Sequence, residues 1–401
     1  MYFIENKMDK LKKLSEKKIG SVKTDFERFL SQMIDWQQPL ILIKGHRGSG
    51  KTTLLLQKAK TLQEKCIYFS LDDIYFETFR LADTIEEFYA DGYRHFFLDE
   101  IHRYLHWSKD LKNIYDNYPE IKIIATGSSI LEINKGNADL SRRLVSYYLP
   151  GLSFREFLQL EHNYLHDPVK LEDILANHSE IAIQINDEID VQKTFQEFIR
   201  IGYYPFFKEG KKVYNQKLRE TTNLVLDIDI APFEELSFST VRNMKKLLFI
   251  IGQSVPFTPN ISKLAEKLNV TRNTVLKILD LLSQARIISL LRQDTKGISF
   301  LQKPEKIYLQ NPNLSWVLSN NHPDKGNLRE TFFFSQTEVK HNITSSRYGD
   351  FMLDDIYTFE IGGASKIATQ IKGIPNAFIA ADDIKGGVGN KIPLWLFGFL
   401  Y

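Results

Sequence analysis

Gly45-His46-Arg47-Gly48-Ser49-Gly50-Lys51-Thr52 is the stretch that decides the fold of the first part of this chain. It consists of a glycine, four further residues and then Gly-Lys-Thr, the pattern of a phosphate-binding loop. An apolar run, residues 40–43, precedes it, and a helical pattern begins near Thr52. In that setting backbone N–H groups and the helix N-terminus converge on phosphate oxygens; the alternative is an ordinary glycine turn. We predict that these residues, with Thr53, bind a nucleoside triphosphate, with ATP the favoured one.

Two side chains of this loop and two later carboxylates have separate predicted roles. Lys51 should reach the β- and γ-phosphates, and the Thr52 hydroxyl should take a Mg²⁺ position, because this cation prefers oxygen ligands. Residues 95–100 form an apolar strand that ends in Asp99 and Glu100. Asp99 is predicted to hold Mg²⁺ through water, and Glu100 to orient and deprotonate the attacking water. The pair favours hydrolysis; the alternative is an acidic strand end that caps a helix.

A third strand, residues 123–125, also ends in polar side chains. The segment that follows is Thr126-Gly127-Ser128-Ser129. Thr126 and Ser128 are candidates for sensing the γ-phosphate or positioning the water. Ser and Thr are also common helix caps, which is the alternative, but the order of this segment after the first two motifs favours a role in the site.

Short apolar runs alternate with helical stretches in this part of the chain. The runs lie at residues 39–44, 66–70, 95–98 and 121–125, and the helical stretches at 52–64, 84–90 and 108–116. This alternation is typical of an α/β fold whose parallel sheet is covered on both faces. Ahead of it, apolar residues at helical spacing in residues 6–18 predict a surface helix.

Composition limits the classes of protein that remain. The chain has 401 residues, too many for one core, and its 43% hydrophobic and 25% charged residues argue against disorder. With 52 basic and 50 acidic residues, net charge gives no case for nucleic acid or membrane binding. The single cysteine, Cys66, excludes an internal disulfide framework. Because no apolar run is long enough to span a bilayer, we expect a cytoplasmic protein with no membrane partner. The apolar residues 392–401 predict a buried terminal strand.

The changes in pattern along the chain predict five segments. They are an N-terminal helical segment (1–30), the nucleotide-binding domain (31–160), a helical lid or subdomain (161–255), a winged helix-turn-helix (256–295) and a C-terminal α/β domain (300–401). In the fourth segment, residues 261–268 and 272–284 each have one apolar face, and residues 287–291 read as a strand. Arg272 and Lys277 are candidates for contacts with duplex DNA. The alternative is a module that contacts only proteins.

On these motifs, the first 160 or so residues resemble AAA-type P-loop ATPases, and in particular a prokaryotic family of predicted ATPases. Arg47 matches an arginine of that family's loop, whereas His46 replaces its proline. Arg143 matches an arginine segment, and in AAA-type proteins such a group can supply positive charge to the phosphoryl group of the same or a neighbouring subunit. The resemblance therefore makes Arg143 a candidate catalytic residue and allows a homo-oligomer; the alternative is a surface arginine.

The resemblance extends to the C-terminus, where this family carries a domain similar to restriction-endonuclease-like folds. It implies a second metal site at Glu330, Asp350 and Glu360. The lysine expected two residues after Glu360 is instead Gly362, and Lys366 lies too far along to replace it without a different geometry. The missing lysine favours a degenerate domain that does not cleave nucleic acid.

These observations lead to one main functional hypothesis and two rivals. The main hypothesis is an ATPase whose nucleotide state controls how the winged-helix and C-terminal domains act on DNA or on a partner protein. The first rival is an ATP-dependent nuclease, which requires a working second metal site. The second rival is a signalling switch that binds ATP tightly and hydrolyses it slowly.

Overall fold

The structure, a computed structural model, describes residues 2–128, 133, 140, 142–232, 236–253, 258–293, 303–319 and 322–401. The chain divides into two compact units, Met1–Pro150 and Gly151–Tyr401. The first unit takes in the predicted N-terminal segment together with most of the predicted nucleotide-binding domain. The three later predicted segments fall in the second unit, and residues 294–302, where two of them were to meet, lie outside the described residues.

A five-stranded parallel sheet forms the centre of the first unit, with strand order β2-β3-β4-β1-β5. The α/β prediction is therefore confirmed. The strands are β1 (Leu40–Gly45), β2 (Cys66–Ser70), β3 (His95–Asp99), β4 (Lys122–Gly127) and β5 (Val145–Leu149). Strand β5 was not predicted.

Helices cover both faces of this sheet. They are α1 (Tyr2–Ser21), α2 (Leu30–Met33), α3 (Lys51–Thr61), α4 (Tyr75–Thr78), α5 (Leu81–Ala90) and α6 (Trp107–Asn117). Successive residues of a strand point to opposite faces, so that Leu42 packs in one hydrophobic cluster with Phe96, and Ile43 in a second cluster with Phe97. Two cores explain why the strands are continuous apolar runs and lack polar alternation.

The N-terminal helix α1 is part of the first unit's structure. Its Leu11 is buried, and the Ser15 hydroxyl accepts a hydrogen bond from the backbone N–H of Tyr68 in β2 (2.9 Å). Lys12 forms an ion pair with Asp91 (2.9 Å). The helix is therefore amphipathic, as its spacing predicted. Its Ser15 hydroxyl pairs with one backbone N–H of β2, which is an edge strand of the sheet.

The second unit begins with helices. In chain order they are α7 (Phe154–His162), α8 (Leu171–Glu188), α9 (Val191–Glu197), α10 (Tyr214–Leu224), α11 (Phe238–Gln253), α12 (Ile261–Leu268), α13 (Arg272–Gln284), α14 (Pro312–Leu318) and α15 (Lys325–Thr337). Short π-helical segments lie at Phe198–Gly202 and Val225–Ile230, and 3₁₀ segments at Pro205–Glu209 and Lys211–Val213.

Helices α12 and α13 have the limits that the sequence predicted. Asn260 and Thr271 cap them, because each side chain accepts a hydrogen bond from the backbone N–H three residues on. Two antiparallel strands follow, β6 (Ile288–Leu291) and β7 (Lys306–Leu309). Strand β6 corresponds to the predicted strand 287–291, whereas β7 lies beyond the predicted segment 256–295, and the winged-helix assignment stays a prediction.

A second sheet lies near the C-terminus. It has the order β12-β11-β10-β9-β8, from β8 (Ile343–Ser345), β9 (Phe351–Leu353), β10 (Tyr357–Gly362), β11 (Ala377–Ala381) and β12 (Lys391–Pro393). The predicted terminal strand 392–401 is wrong, because β12 ends at Pro393 and a 3₁₀ segment, Leu394–Phe399, follows. A run that is buried on all sides suits a helix as well as a strand, so its composition could not distinguish them.

The C-terminal segment packs against the start of α7. The backbone carbonyl of Tyr401 accepts hydrogen bonds from Ser153 Oγ (2.7 Å) and Arg155 Nε (2.9 Å). A Cβ on Gly398 would lie 2.4 Å from that of Phe154. These contacts explain why residues 151–160, predicted to belong with the nucleotide-binding domain, fall in the second unit.

None of the described helices is long and apolar enough to cross a membrane.

Candidate nucleotide-binding site

The predicted phosphate loop connects β1 to α3. Strand β1 ends at Gly45 and helix α3 begins at Lys51. Gly48 (φ 79°) and Gly50 (φ 95°) adopt left-handed conformations that residues with a side chain rarely take. The loop thus has the strand-turn-helix form in which backbone N–H groups point at a phosphate.

Lys51 is buried, with 4% of its surface exposed, and its ammonium group points back over the loop. Lys51 Nζ donates hydrogen bonds to the carbonyls of Gly45 (3.0 Å) and His46 (2.8 Å). A buried ammonium group that donates to neutral carbonyls gains from an anionic partner. This position therefore suits the role predicted for Lys51.

Asp99 connects the loop with two neighbouring strands. Its Oδ2 accepts hydrogen bonds from Thr52 Oγ1 (2.8 Å) and from the Tyr68 hydroxyl (3.0 Å), and its Oδ1 accepts one from Thr126 Oγ1. Burial, reinforced by the charge of Asp99, raises the pKa of Tyr68, which therefore remains a neutral donor. Asp99 itself is 3% exposed. The structure brings together three of the predicted residues, Thr52, Asp99 and Thr126.

The donor atoms at this point suit a magnesium ion. The Thr52 hydroxyl and the Asp99 carboxylate are oxygen ligands next to a loop that can supply phosphate contacts. Mg²⁺ keeps several waters and needs few protein ligands, so these two side chains form an adequate set. When bound, it would neutralise part of the phosphate charge.

Glu100 directly follows β3 and has a left-handed backbone conformation (φ 50°). Its Oε2 accepts a hydrogen bond from Ser128 Oγ (3.0 Å) and lies 3.4 Å from His102 Nδ1. The backbone N–H of Glu100 donates to Thr126 Oγ1 (3.3 Å). Thr126 thus links the two carboxylate residues, whereas Ser128 contacts the predicted base itself. Ser129, also in the predicted sensor segment, lies outside the described residues.

The remaining loop residues have different surroundings. His46 is buried, and its Nε2 lies 2.9 Å from the hydroxyl of Tyr148 in β5. Arg47 is half-buried, Gly48 is exposed, and Thr53 is exposed on the first turn of α3. Ser49 is fully buried. The residues 45–53, predicted together to bind the nucleotide, therefore differ in their exposure and surroundings.

Arg143 lies near the N-terminal ends of the strands, whereas the loop lies at their C-terminal ends. In the parallel register of β1 and β5, Gly45 pairs with Leu149 and Ile41 with Val145, and Arg143 precedes Val145. About 13 Å of strand separates the two levels. Asp116 at the end of α6 holds the guanidinium through two hydrogen bonds (2.8 and 3.0 Å). This placement argues against action on the loop of the same chain and leaves the neighbouring-subunit role as the prediction.

Sequence reasoning missed Tyr68 and Tyr148 as partners of the site. Each is a tyrosine within a strand, and such residues are ordinary in sheets. The available signal was register: Tyr68 lies in β2 beside β3, and Tyr148 in β5 beside β1. This signal requires knowledge of the strand order, and β5 was not predicted.

The three carboxylates of the predicted second metal site have other partners. Lys306 Nζ lies between Glu330 (3.1 Å) and Asp350 (2.9 Å), while Glu360 forms an ion pair with Lys366. The described residues contain no group of three or more His, Cys, Asp or Glu side chains arranged to hold a metal ion. An ammonium group thus occupies the position where a cation would balance Glu330 and Asp350. The second metal site stays a prediction, and these ion pairs are what a metal ion would have to displace.

In this region the lysine next to Glu360 differs from expectation in its position, and two charged groups have shifted pKa values. Lys366 packs against Gly362, since a Cβ at Gly362 would lie 2.6 Å from its Cβ, so this lysine reaches Glu360 from four residues beyond the expected position. Burial, and next the charge of Asp350, raises the pKa of Glu330. Burial opposes the charge of Lys306, but its two carboxylate partners outweigh that effect and raise the pKa of Lys306.

Part of the chain matches the sequence model of a known family. Residues 37–158 match the sequence model of a family described as an AAA domain. The match supports a P-loop ATPase of the AAA type. It lies within the predicted domain 31–160 and contains the loop, Asp99, Glu100 and Arg143. The restriction-endonuclease-like character of the C-terminal domain, which lies outside this AAA domain, stays a prediction.

One curated relative extends beyond the AAA domain. An uncharacterised protein of Methanocaldococcus jannaschii is 30% identical over 270 residues, which are 63% of this chain and 56% of the relative. The alignment thus spans little more than half of the relative's length.

Solved structures with some likeness to this chain include ATPases. A Walker-type ATPase of Pyrococcus abyssi has a TM-score of 0.41 at 12% identity, with 73% of this chain and 95% of that chain covered. A signal transduction ATPase with numerous domains and a tetratricopeptide repeat sensor, from Pyrococcus horikoshii, has a TM-score of 0.30 at 12% identity, with 80% and 46% covered.

Proposed function

We propose that this protein binds ATP with Mg²⁺ in the loop 45–53 and hydrolyses it. The observation that carries the proposal is the hydrogen bond between Thr52 Oγ1 and Asp99 Oδ2 (2.8 Å). It joins the phosphate loop to the acidic strand, the two parts that a P-loop ATPase needs side by side. The AAA-domain match over residues 37–158 supports the same conclusion.

In this proposal the loop binds and orients the triphosphate. The N–H groups of the loop and the N-terminus of α3 contact phosphate oxygens. Lys51 exchanges its carbonyl partners for the β- and γ-phosphates. Thr52 and Asp99 would hold the magnesium ion, while Tyr68 and Thr126 keep the Asp99 carboxylate in place through their hydroxyl groups.

Glu100 is the proposed general base. It accepts the proton of the attacking water, and Ser128 orients its carboxylate by donating to Oε2. His102, 3.4 Å from the same oxygen, is close enough to adjust the orientation of that carboxylate. Arg143 would supply positive charge to a site in a neighbouring subunit, which is why we include a homo-oligomer in the proposal.

The proposed output is a change in how the second unit engages DNA or a partner protein. Arg272 and Lys277 are exposed on α13, and Thr271 and Thr274 are engaged in capping that helix. Exposed cations at the start of the second helix of such a pair suit contacts with DNA phosphates and base edges.

A second candidate function is a nucleotide-gated switch with slow turnover. The observation that favours it is the hydrogen bond from Ser128 Oγ to Glu100 Oε2, because this donor occupies a carboxylate oxygen that the base would otherwise offer to the attacking water. The nuclease alternative has no comparable support, since Lys306 lies between two of the three carboxylates that it requires.

Equilibrium binding of ATP to wild type and Lys51→Ala tests the proposal. Loss of the buried ammonium group should weaken ATP binding about 100-fold, as expected for a charge-assisted contact with phosphate. Lys112→Ala, which removes an exposed lysine from α6, is the matched control and should bind ATP like wild type. Unchanged binding by Lys51→Ala would exclude the loop as the ATP site.

A further inference from the structure

Arg28 is a buried arginine outside the AAA-domain match. It precedes helix α2, and 4% of its surface is exposed. Its Nη1 donates to the carbonyl of Ser49 (2.5 Å), and its Nη2 donates to the carbonyl of Pro150 (2.9 Å). One guanidinium therefore connects the phosphate loop with the end of the first unit. Burial of an arginine costs free energy unless its donors are used, and here two carbonyls use them.

The contact with Ser49 fixes the orientation of one peptide group in the loop. In a planar trans peptide the C=O and the following N–H point in opposite directions. Because the Ser49 carbonyl points at Arg28, the N–H of Gly50 points away from Arg28. Gly50 has a left-handed conformation (φ 95°) and directly precedes α3, where N–H groups are expected to face a phosphate. Arg28 thereby presets a donor that the proposed site needs.

The contact with Pro150 connects the same group to strand β5. Pro150 follows Leu149, the last residue of β5, and is the last residue of the first unit. The loop approaches this point closely as well, because a Cβ on Gly45 would lie 2.4 Å from the carbonyl oxygen of Leu149. Strand pairing holds Gly45 beside Leu149, and a shift of the Ser49 peptide reaches the β5 end through Arg28.

We propose that Arg28 is a positioning residue that couples phosphate binding in the loop to the geometry of the chain at Leu149–Gly151. The guanidinium holds two carbonyls at once, so movement of the Ser49 peptide on phosphate binding is transmitted to Pro150. This inference rests on the proposed ATP site. It adds a route by which nucleotide state reaches the point where the chain leaves the first unit.

Hydrogen exchange with and without the ATP analogue AMP-PNP and Mg²⁺ tests the coupling. In wild type, the analogue should slow exchange at least fivefold both in residues 45–52 and in the segment 148–152. In Arg28→Gln, which keeps a polar side chain and loses the charged fork, we expect a Kd about tenfold higher. At saturation its loop should still be protected, while segment 148–152 should no longer respond. Arg94→Gln is the control, because Arg94 forms an ion pair near the surface with Glu120 and should respond like wild type.

The outcomes separate this inference from the proposed function. If wild type binds no analogue, the proposed ATP site itself is wrong. If wild type protects the loop but not segment 148–152, or if Arg28→Gln responds in both regions like wild type, the coupling is wrong. A purely structural role would raise exchange throughout the unit equally with and without analogue, which also contradicts it. Should Arg28→Gln not fold, Arg28→Lys must show a reduced response in segment 148–152, because one ammonium group reaches these carbonyls without the planar fork; a full response would overturn the inference.

Discussion

Asp99 organises the candidate site at the level of single residues. Three hydroxyl groups, from three different elements, donate to its two oxygens. The sequence predicted Asp99 and Thr52 from the motifs alone, because their spacing from glycine and strand is local information. It could not predict Tyr68, whose contact depends on the pairing of β2 with β3. Residues that belong to a sequence motif were therefore predictable, whereas residues that contact the site because of strand pairing were not.

Gly45 is a residue whose lack of a side chain is required by packing. A Cβ there would lie 2.4 Å from the Leu149 carbonyl oxygen and 3.0 Å from Ser49 Oγ. Gly45→Ala should therefore lower the free energy of unfolding by about 1–3 kcal/mol, the usual cost of overpacking, and weaken ATP binding at least tenfold. Thermal unfolding and ATP titration measure the two effects. Gly20→Ala in α1, where no atom lies within 4 Å of the added Cβ, should neither lower the free energy of unfolding nor weaken ATP binding, and equal behaviour of both variants would refute the packing argument.

At the level of elements, the central sheet was largely predictable and its edge was not. Strands β1 to β4 are buried apolar runs, a strong signal in sequence. Strand β5 is less buried along most of its length and carries Ser146, Tyr147 and Tyr148, so its composition resembles a surface segment. Because β5 was not predicted, the positions of Arg143 and Tyr148 relative to the site could not be predicted either.

The position of β5 makes the predicted role of Arg143 testable. Since Arg143 lies at the opposite end of the strands from its own loop, any effect on turnover should operate between subunits. Arg143→Ala and Glu100→Gln should each have low ATP turnover, and mixing them should restore part of it, because one subunit then supplies the arginine and the other the base. Full turnover by Arg143→Ala alone would show that this arginine is not catalytic. Absence of recovery on mixing would contradict the action between subunits.

At the level of the whole molecule, the five predicted segments group into two units. Composition marked each change of pattern, but packing between distant parts of the chain, such as Ser153 with Tyr401, has no signal in local sequence. The C-terminal carboxylates show the same limit. Their residue types suggested a metal site, whereas the structure places Lys306 between Glu330 and Asp350.

The proposed DNA contact belongs to this scale, because it depends on the second unit as a surface. Arg272→Ala combined with Lys277→Ala should weaken duplex DNA binding at physiological salt and reduce the salt dependence by about two phosphate contacts. Fluorescence anisotropy over a range of salt concentrations measures both. The control removes two other exposed lysines of this unit, Lys372 and Lys385. If the two double variants bind DNA equally well, α13 is not the DNA contact and the partner-protein form of the proposal is favoured.

Hydrolysis of ATP with Glu100 as the base is tested most directly by steady-state ATP turnover of wild type beside Glu100→Gln. Glu77→Gln, an exposed glutamate of the same unit, is the matched control. We expect measurable turnover in wild type and in the control, and at least about a 100-fold loss in Glu100→Gln with ATP binding retained. Turnover in Glu100→Gln equal to that of wild type would contradict the assignment of the base. ATP binding by wild type without any turnover would contradict hydrolysis and favour the nucleotide-gated switch.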